Sequence, residues 1–149
     1  MANVIHDGAR SNERFTIEGK ASAAFQPGHV VIVTTNNTTK ASTFAKATYT
    51  AGAPVPKLWV ADKDFLHAGD VSTAYAIGDD VVVKLVPSGD TAFIRAASGT
   101  YNKGTPVYAN ATGGLVTATA PAESVDPVGY AAENIGTVTA DALVRIVAA

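Results

Sequence analysis

Short β-forming runs, each introduced by a glycine, constrain the fold of this chain more than any other feature. The stretches PGHVVIV at 27–33, IGDDVVVKLV at 77–86 and KGTPVYA at 103–109 share one form: glycine, two residues, valine, then further strand. Glycine permits the positive φ of a tight turn, and valine favours a pleated, half-buried strand. The copies are unevenly spaced, which argues against a solenoid. The pattern predicts an all-β fold, a small single-domain β-barrel that is β-tulip-like, or a sandwich.

Enrichment of Val, Ile and Thr between turn residues predicts seven strands, near 29–34, 80–86, 91–96, 105–109, 114–119, 127–132 and 142–148. The PSGD turn at 87–90 predicts a hairpin between the second and third of them. Gly113-Gly114 predicts another hairpin between the fourth and fifth, and the last two strands would close the fold. The middle is less informative, since 41–52 is compatible with strand or loop and 55–70 with a short helix.

Residues 1–20 differ from the rest of the chain in composition. They mix charged side chains with isolated apolar ones, and neither a helical stripe nor a strict alternation runs through them. Such a segment offers too little apolar surface to offset its ordering entropy, so we expect an extended N-terminal arm that becomes ordered on a partner. A short strand at 15–17 is compatible with its end. The predicted division is an arm over 1–20 and one β-barrel-like domain over 21–149.

Size and charge exclude several classes of function. The 149 residues suffice for one domain with a core, and a net charge of −2 gives no reason to expect nucleic acid or an anionic membrane as a partner. The absence of cysteine excludes disulfides and thiolate metal sites. No stretch has the length of a signal peptide or a membrane span, so we expect synthesis in the cytoplasm.

Residue patterns typical of catalysis are missing. His6, His29 and His67 are not at metal-ligand spacing and are interpreted as surface residues. The acids of 62–64 and 78–80 are interpreted as solvated turn residues, because a calcium loop needs more oxygen ligands in order. The sequence has neither a Gly-x-Ser-x-Gly elbow nor a nucleotide-binding glycine motif. We therefore expect no enzymatic activity, no cofactor and no metal site.

Trp59 and Phe65 are bulky apolar side chains in the ambiguous central region. They are compatible with a plug that closes one end of a barrel. They are also compatible with an exposed interface anchor, because tryptophan is enriched among the residues that dominate binding energy. The sequence leaves both interpretations open.

The C-terminal third carries an ordered series of short motifs, KGTPVYANATGGLVTATAPAESVDPVGYAAEN at 103–134 and ALVRIV at 142–147. In this order it resembles the small capsid decoration, or cement, proteins of tailed bacteriophages. In that group a G-x-P-V-Y strand is followed by a glycine turn, a Val/Thr strand, a Val-Gly-Tyr-Ala-like strand and a final V-R-V-like strand. The matching positions are Gly104, Pro106, Val107, Tyr108, Gly113, Gly114, Val116, Val128, Gly129, Tyr130, Ala131, Val144, Arg145 and Ile146.

The resemblance implies a β-barrel-like domain, often a homotrimer, on the outside of a phage head. It makes the major capsid protein the expected partner, the virion exterior the expected location and stabilisation of the capsid lattice the expected function. The arm would lie along the capsid, and its expected capsid-binding residues are Val4, Ile5, Arg10, Arg14, Phe15 and Ile17. The alternative is an adhesin or head-fibre base module that binds a cell-surface ligand through exposed loops.

Overall fold

The computed structural model describes residues 16–50, 52–55, 57–63, 69–122 and 125–149, and within these ranges it contains twelve β-strands and no helix. The first five strands are β1 (Thr16–Ala21), β2 (Val31–Thr35), β3 (Ser42–Lys46), β4 (Trp59–Ala61) and β5 (Asp80–Leu85). The others are β6 (Thr91–Ala96), β7 (Gly99–Tyr101), β8 (Pro106–Ala109), β9 (Val116–Thr117), β10 (Gly129–Ala131), β11 (Gly136–Val138) and β12 (Ala142–Ala148). The predicted all-β fold is confirmed. A helix long and apolar enough to cross a membrane does not occur in the described ranges.

Five strands of the second half close into a barrel, in the order β10-β12-β6-β9-β8. The first five strands form a curled sheet in the order β2-β3-β1-β5-β4. The two edges of this sheet meet, because Val30 bridges Val60 and the Gly28 N–H donates to the Ala61 carbonyl at 2.8 Å. Below, β1–β5 are named the first barrel, and the closed set is named the second barrel.

The two barrels share one topology. The strands of the two barrels correspond one to one in chain order: β1 to β6, β2 to β8, β3 to β9, β4 to β10 and β5 to β12. The β1/β3 and β6/β9 pairs are parallel, whereas the other paired strands of both barrels are antiparallel. The register agrees as well, since Val33 pairs with Phe44 where Ala109 pairs with Val116. The chain therefore contains one five-stranded unit twice, and β7 and β11 form a separate two-stranded sheet.

The same glycine turn precedes strands in both barrels. Its three glycines, with φ of 88°, 91° and 86°, are Gly28, Gly78 and Gly104. Each donates its N–H at 2.8 Å to the carbonyl of an alanine that ends a neighbouring strand, in turn Ala61, Ala21 and Ala131. Asp141, with φ of 65°, takes the place of Gly78 in the second barrel and donates to the Ala96 carbonyl at 2.9 Å. The repeated sequence pattern is therefore a repeated turn that fastens one strand to the end of another.

An aromatic residue three positions before each turn glycine extends the repeat to Ser-x-x-Phe/Tyr-x-x-Gly-x-x-Val. Phe25 and Tyr75 are buried in the first barrel, with ring centroids 5.6 Å apart. Tyr101 is fully buried in the second barrel, and its hydroxyl donates to the Ala97 carbonyl at 2.8 Å. The valines of the pattern are also buried, namely Val31, Val81 and Val107. Each copy of the repeat thus supplies one aromatic ring and one valine to a barrel interior.

Two apolar clusters correspond to the two barrels. The interior of the first barrel consists of Ala21, Phe25, Val31, Phe44, Ala61, Tyr75, Val81 and Val83. The other cluster joins the interior of the second barrel to residues from the first half, namely Val30, Ala47, Leu58, Val60, Val71 and Val86. Because this cluster includes residues of both halves, the barrels pack against each other through a continuous apolar core.

Each of the seven predicted strands has a counterpart: β2, β5, β6, β8, β9, β10 and β12. The hairpin through Gly113-Gly114 is confirmed by the antiparallel pairing of β8 with β9. The predicted hairpin across 87–90 is wrong, because β5 pairs with β1 and β4 whereas β6 pairs with β12 and β9. The Gly89 N–H donates instead to the Ala148 carbonyl at 2.9 Å, so this turn carries the chain from one barrel into the next.

The segments that the sequence left ambiguous contribute to the first barrel. Residues 41–52 contain β3, and the described part of 55–70 contains β4 and no helix. Residues 16–20, which the sequence division placed in the arm, lie in β1 and pair with β5 along their length. The other residues of the predicted arm, 1–15, lie outside the described residues.

Candidate functional site

Arg95 lies at the junction of the two barrels. It is 7% exposed, and its Nε donates to the Pro27 carbonyl at 2.8 Å. Its Nη1 and Nη2 donate at 2.6 Å to the carbonyls of Asp141 and Val71. Burial lowers the pKa of the guanidinium, but an arginine remains charged in proteins. This side chain therefore binds three separate backbone segments together.

His29 is buried beside this arginine and is not the surface residue that the sequence predicted. Its Nδ1 lies 3.0 Å from both the backbone nitrogen and the carbonyl oxygen of Gln26. Its Nε2 lies 3.1 Å from Asp141 Oδ1. Burial is the main cause that lowers the pKa of His29, and the positive charges of Lys46 and Arg95 add to it. Both ring nitrogens are occupied by contacts of the fold, so this histidine and its aspartate stabilise the junction.

The acidic residues of the turns also have structural partners. Asp62 is 2% exposed, and its Oδ2 lies 2.6 Å from Lys84 Nζ, so the interpretation of this residue as a solvated acid is wrong. Asp79 accepts the Ala76 N–H at 2.8 Å and closes the turn before β5. No group of three His, Asp or Glu side chains in the described ranges is placed to hold a metal ion. These carboxylates serve local structure.

Two of the predicted binding residues can be placed in the structure. Ile17 lies in β1 opposite Val83, is partly buried and packs against the interior cluster of the first barrel. Trp59 lies in β4 opposite Leu85 and packs, partly buried, against the same cluster. Both side chains therefore contribute to the first barrel. The other predicted residues lie outside the described ranges: Val4, Ile5, Arg10, Arg14, Phe15 and Phe65.

The exposed apolar side chains mark the candidate interaction surfaces. Among the described residues the large ones are Ile32, Val55, Ile77 and Tyr130, at 46%, 39%, 73% and 43% exposure. Tyr130 pairs across the second barrel with Pro106 on one side and Val147 on the other, and both are partly buried. These three residues are named the tyrosine face. Its orientation follows from the strand period of two, because the neighbours Gly129 and Ala131 are buried.

An apolar groove of about 590 Å³ lies on the second barrel next to the junction. Phe93, Ile135 and Leu143 line it together with Arg95 and Glu133. Arg95 is already engaged by three carbonyls, so the exposed lining is mainly apolar. The groove and the tyrosine face both expose apolar side chains on the outer surface of the second barrel, which makes them candidate binding surfaces.

Comparison with known proteins gives a likeness of fold. No family model matches the chain, and no curated protein matches its sequence. A solved structure, described as the crystal structure of head fiber gp8.5 N base in bacteriophage phi29, aligns with a TM-score of 0.56. The alignment covers 90% of this chain and 92% of that one, at 14% sequence identity. The two chains therefore share a fold over nearly their whole lengths.

Sequence reasoning missed the junction cluster, and the reason is visible in the contacts. Its polar atoms pair mainly with backbone carbonyls from distant segments, such as Pro27 and Val71 with Arg95. No local spacing reports such contacts. An isolated arginine within an otherwise apolar strand, TAFIRA at 91–96, is the signal that could have indicated it.

Proposed function

We propose that this chain is a non-catalytic structural protein of a tailed-phage head. It binds the outer surface of the shell through the major capsid protein and stabilises the capsid lattice. The observation that carries the proposal is the fold shared with a head-fibre base over 90% of this chain. The resemblance of residues 103–147 to capsid decoration proteins supports the stabilising role.

The side-chain chemistry supports a binding module without enzymatic activity. The buried polar groups most suited to proton transfer, His29 and Asp62, hold contacts within the fold. Arg95, the buried cation at the junction, is bound to three carbonyls. The described surface offers a partner exposed apolar side chains, of which Ile32 and Tyr130 lie on strands and Val55 and Ile77 lie in connecting segments. Such a protein acts through contact area and stiffness, and it needs no cofactor.

The proposed assembly is a homotrimer whose three arms hold the shell. One arm offers Val4, Ile5 and Phe15 as apolar anchors, each worth about 1.5–3 kcal/mol when fully buried. Ordering of the segment and loss of rigid-body freedom consume most of that gain. Linking three arms makes the second and third contacts intramolecular, which raises avidity by about 10²–10⁴.

The test of the proposed function uses heads assembled with and without this chain. Electron microscopy should show extra density on the outer surface only when the chain is present. The decorated heads should also resist heating or chelation better than bare ones. Deleting residues 2–14 should leave the fold intact and abolish attachment. If bare heads acquire no density at saturating protein, the capsid-surface function is wrong. If the truncated chain still decorates them fully, the barrels are the anchor.

A head-fibre base that carries an adhesin is the second candidate, because the similar structure is itself described as a head-fibre base. In that case the protein would bind the head and also carry a further fibre or receptor-binding element. Loss of the chain should then reduce adsorption of phage to cells and leave the thermal stability of the head unchanged. The stabilising role predicts the opposite pair of results.

A further inference from the structure

The first barrel has an outward-facing pair of valines that the second barrel covers. Val30 and Val60 form a bridge across the closing edges of the first barrel and are only 4% and 1% exposed. The turn between β8 and β9 lies against them. The Val30 N–H donates to the Gly114 carbonyl at 2.7 Å, and the Gly114 N–H donates to the Ala47 carbonyl at 2.9 Å. Gly114 is required here, because a Cβ on it would collide with the Val30 carbonyl oxygen.

The equivalent pair in the second barrel is uncovered. Pro106 corresponds to Val30, because each directly precedes a buried valine, Val107 or Val31. Tyr130 corresponds to Val60, because each directly precedes a buried alanine, Ala131 or Ala61. Pro106 and Tyr130 are also direct cross-strand partners. Tyr130 is nevertheless 43% exposed. The tyrosine face is therefore the second copy of a surface that, in the first copy, is buried by a neighbouring barrel.

The first barrel also carries an uncovered copy of the covering element. The counterpart of the β8–β9 turn is the connection of the β2–β3 hairpin, which is longer. It has ten residues between Val33 and Phe44, whereas the β8–β9 turn has six between Ala109 and Val116. Residues 34–41 are all exposed. Asn36 shapes the tip, since its Oδ1 accepts the N–H groups of residues 38 and 39 at 2.8 and 3.0 Å. This preformed hairpin has the same place in its barrel as the turn that covers Val30 and Val60.

Ile77 is a second exposed apolar residue, and its turn corresponds to one that contacts the other barrel. The turn at 139–142 of the second barrel contacts the first barrel through Asp141 and His29. Its counterpart in the first barrel is the turn at 76–79, in which Gly78 takes the place of Asp141. Ile77 in that turn is 73% exposed, the highest value among the large apolar side chains described. Ile77 therefore lies in the turn whose counterpart, in the second barrel, contacts a neighbouring barrel.

We propose that the tyrosine face of one protein chain binds the β2–β3 hairpin of a second, identical chain. Ile77 of that second chain packs on the turn at 102–105 of the first chain. The contact repeats between chains the arrangement that each chain makes between its own barrels. It is a heterologous contact, and such contacts form rings when the rotation closes. The proposal rests on the homotrimer of the proposed function and names its interface. Pro106 has no N–H, so the contact is made by side chains and cannot copy the Val30–Gly114 hydrogen bond.

Cysteine cross-linking tests the geometry directly, because the chain has no native cysteine. Thr38→Cys and Tyr130→Cys are made in separate chains of different tag length and mixed under mild oxidation. We expect a mixed disulfide dimer as the main product, since neither chain can form it alone. Thr38→Cys mixed with Val55→Cys is the control, because Val55 has similar exposure, 39%, and lies outside the proposed interface. A mixed product no more abundant than in the control, or a predominant 130–130 dimer, would overturn the proposal.

Sedimentation equilibrium at micromolar concentration tests the energetics. The wild type should be a trimer, and Tyr130→Asp and Ile77→Asp should each shift it to monomer, with the circular dichroism spectrum unchanged. Val55→Asp should remain a trimer. If both aspartate variants remain trimers, the interface is wrong while the trimer stands. If the wild type is a monomer, interface and trimer both fail, and decoration of heads, scored separately, still decides the proposed function.

Discussion

The two barrels fill the same interior position with different pairs of residues. The first barrel has Gly19 on β1 beside Phe44 on β3, and a Cβ on Gly19 would lie 2.8 Å from the Phe44 ring. The second barrel has Ile94 and Val116 at the corresponding places, both fully buried. A large and a small side chain in one copy thus replace two medium ones in the other. At these facing interior positions the topology therefore accepts different residues whose combined size is similar.

The outer faces of the same strands differ even more. Lys20 and Asp80 form a pair at 2.7 Å in the first barrel, with both side chains more than half exposed. At the corresponding register the second barrel has Arg95 opposite Leu143, and this arginine is the buried clamp of the junction. One strand position is therefore solvated in one copy and internal in the other. Outer surfaces, unlike interiors, distinguish the roles of the two barrels.

Gly19→Val should cause the largest loss of stability among the matched positions. The new side chain would collide with the Ser42 carbonyl oxygen and the Phe44 ring, and the backbone atom cannot move away as a flexible side chain can. We expect the free energy of unfolding to fall by more than about 3 kcal/mol, at or beyond the usual range for overpacked cores. Urea denaturation followed by the fluorescence of Trp59, the single tryptophan, measures it.

Gly104→Ala is the control for this substitution. Gly104 has φ of 86° but open space around an added Cβ, so only backbone strain should appear, at about 1 kcal/mol. An equal loss in both variants would mean that backbone conformation, and not the Gly19–Phe44 complementarity, determines the cost.

Arg95→Met should have the next largest effect. It leaves the carbonyls of Pro27, Val71 and Asp141 without this donor, and we expect a loss of about 2–3 kcal/mol. Lys20→Met changes the equivalent position of the first barrel and should alter stability by no more than about 1 kcal/mol, since both partners of that pair are exposed. Chemical denaturation of both variants under one set of conditions makes the comparison. Similar losses in the two would contradict the assignment of Arg95 as a junction clamp.

Acidification should have the smallest effect, and it should act on the junction. Burial lowers the pKa of His29 below 6.5, so the unfolded chain binds this proton more readily than the folded one. The stabilising contribution is therefore complete above about pH 6.5 and decreases as the pH falls below that value. Unfolding free energies measured from pH 8 to pH 5.5 should decrease, and His29→Gln should flatten that decrease. An unchanged slope in the variant would assign the effect to other groups.

The sequence predicted the strands of the second barrel far better than those of the first. Strands such as β12, ALVRIVA, alternate clearly, because every second residue enters the closed interior. In the first barrel β3, STFAK, buries one residue fully, and β1, TIEGKA, places Gly19 at an interior position. There the volume comes from Phe25 and Tyr75, which lie outside the named strands. Strand periodicity is weaker in the first barrel, which contains these two rings, than in the second, whose core cluster contains one ring, Tyr101.

The duplication escaped sequence reasoning for a related reason. Its copies keep the turn geometry and the pairing register, whereas the residues at both interior and exterior positions differ, as Gly19 and Ile94 do at one interior position. The chain even replaces one turn glycine by Asp141. The candidate surfaces were visible only in part: the resemblance named Pro106 and Tyr130 as motif positions, but their exposure depends on which barrel lies beside them.

The connection between the barrels has a mechanical consequence. The turn at 87–90 is not a free tether, because Gly89 donates to the Ala148 carbonyl at 2.9 Å and the Ala148 N–H donates to Asp90 at 2.8 Å. A force applied to the first barrel therefore acts directly on the hydrogen bonds of β12 in the second barrel. Because the connection is short and hydrogen-bonded to β12, a displacement of one barrel is passed directly to the other.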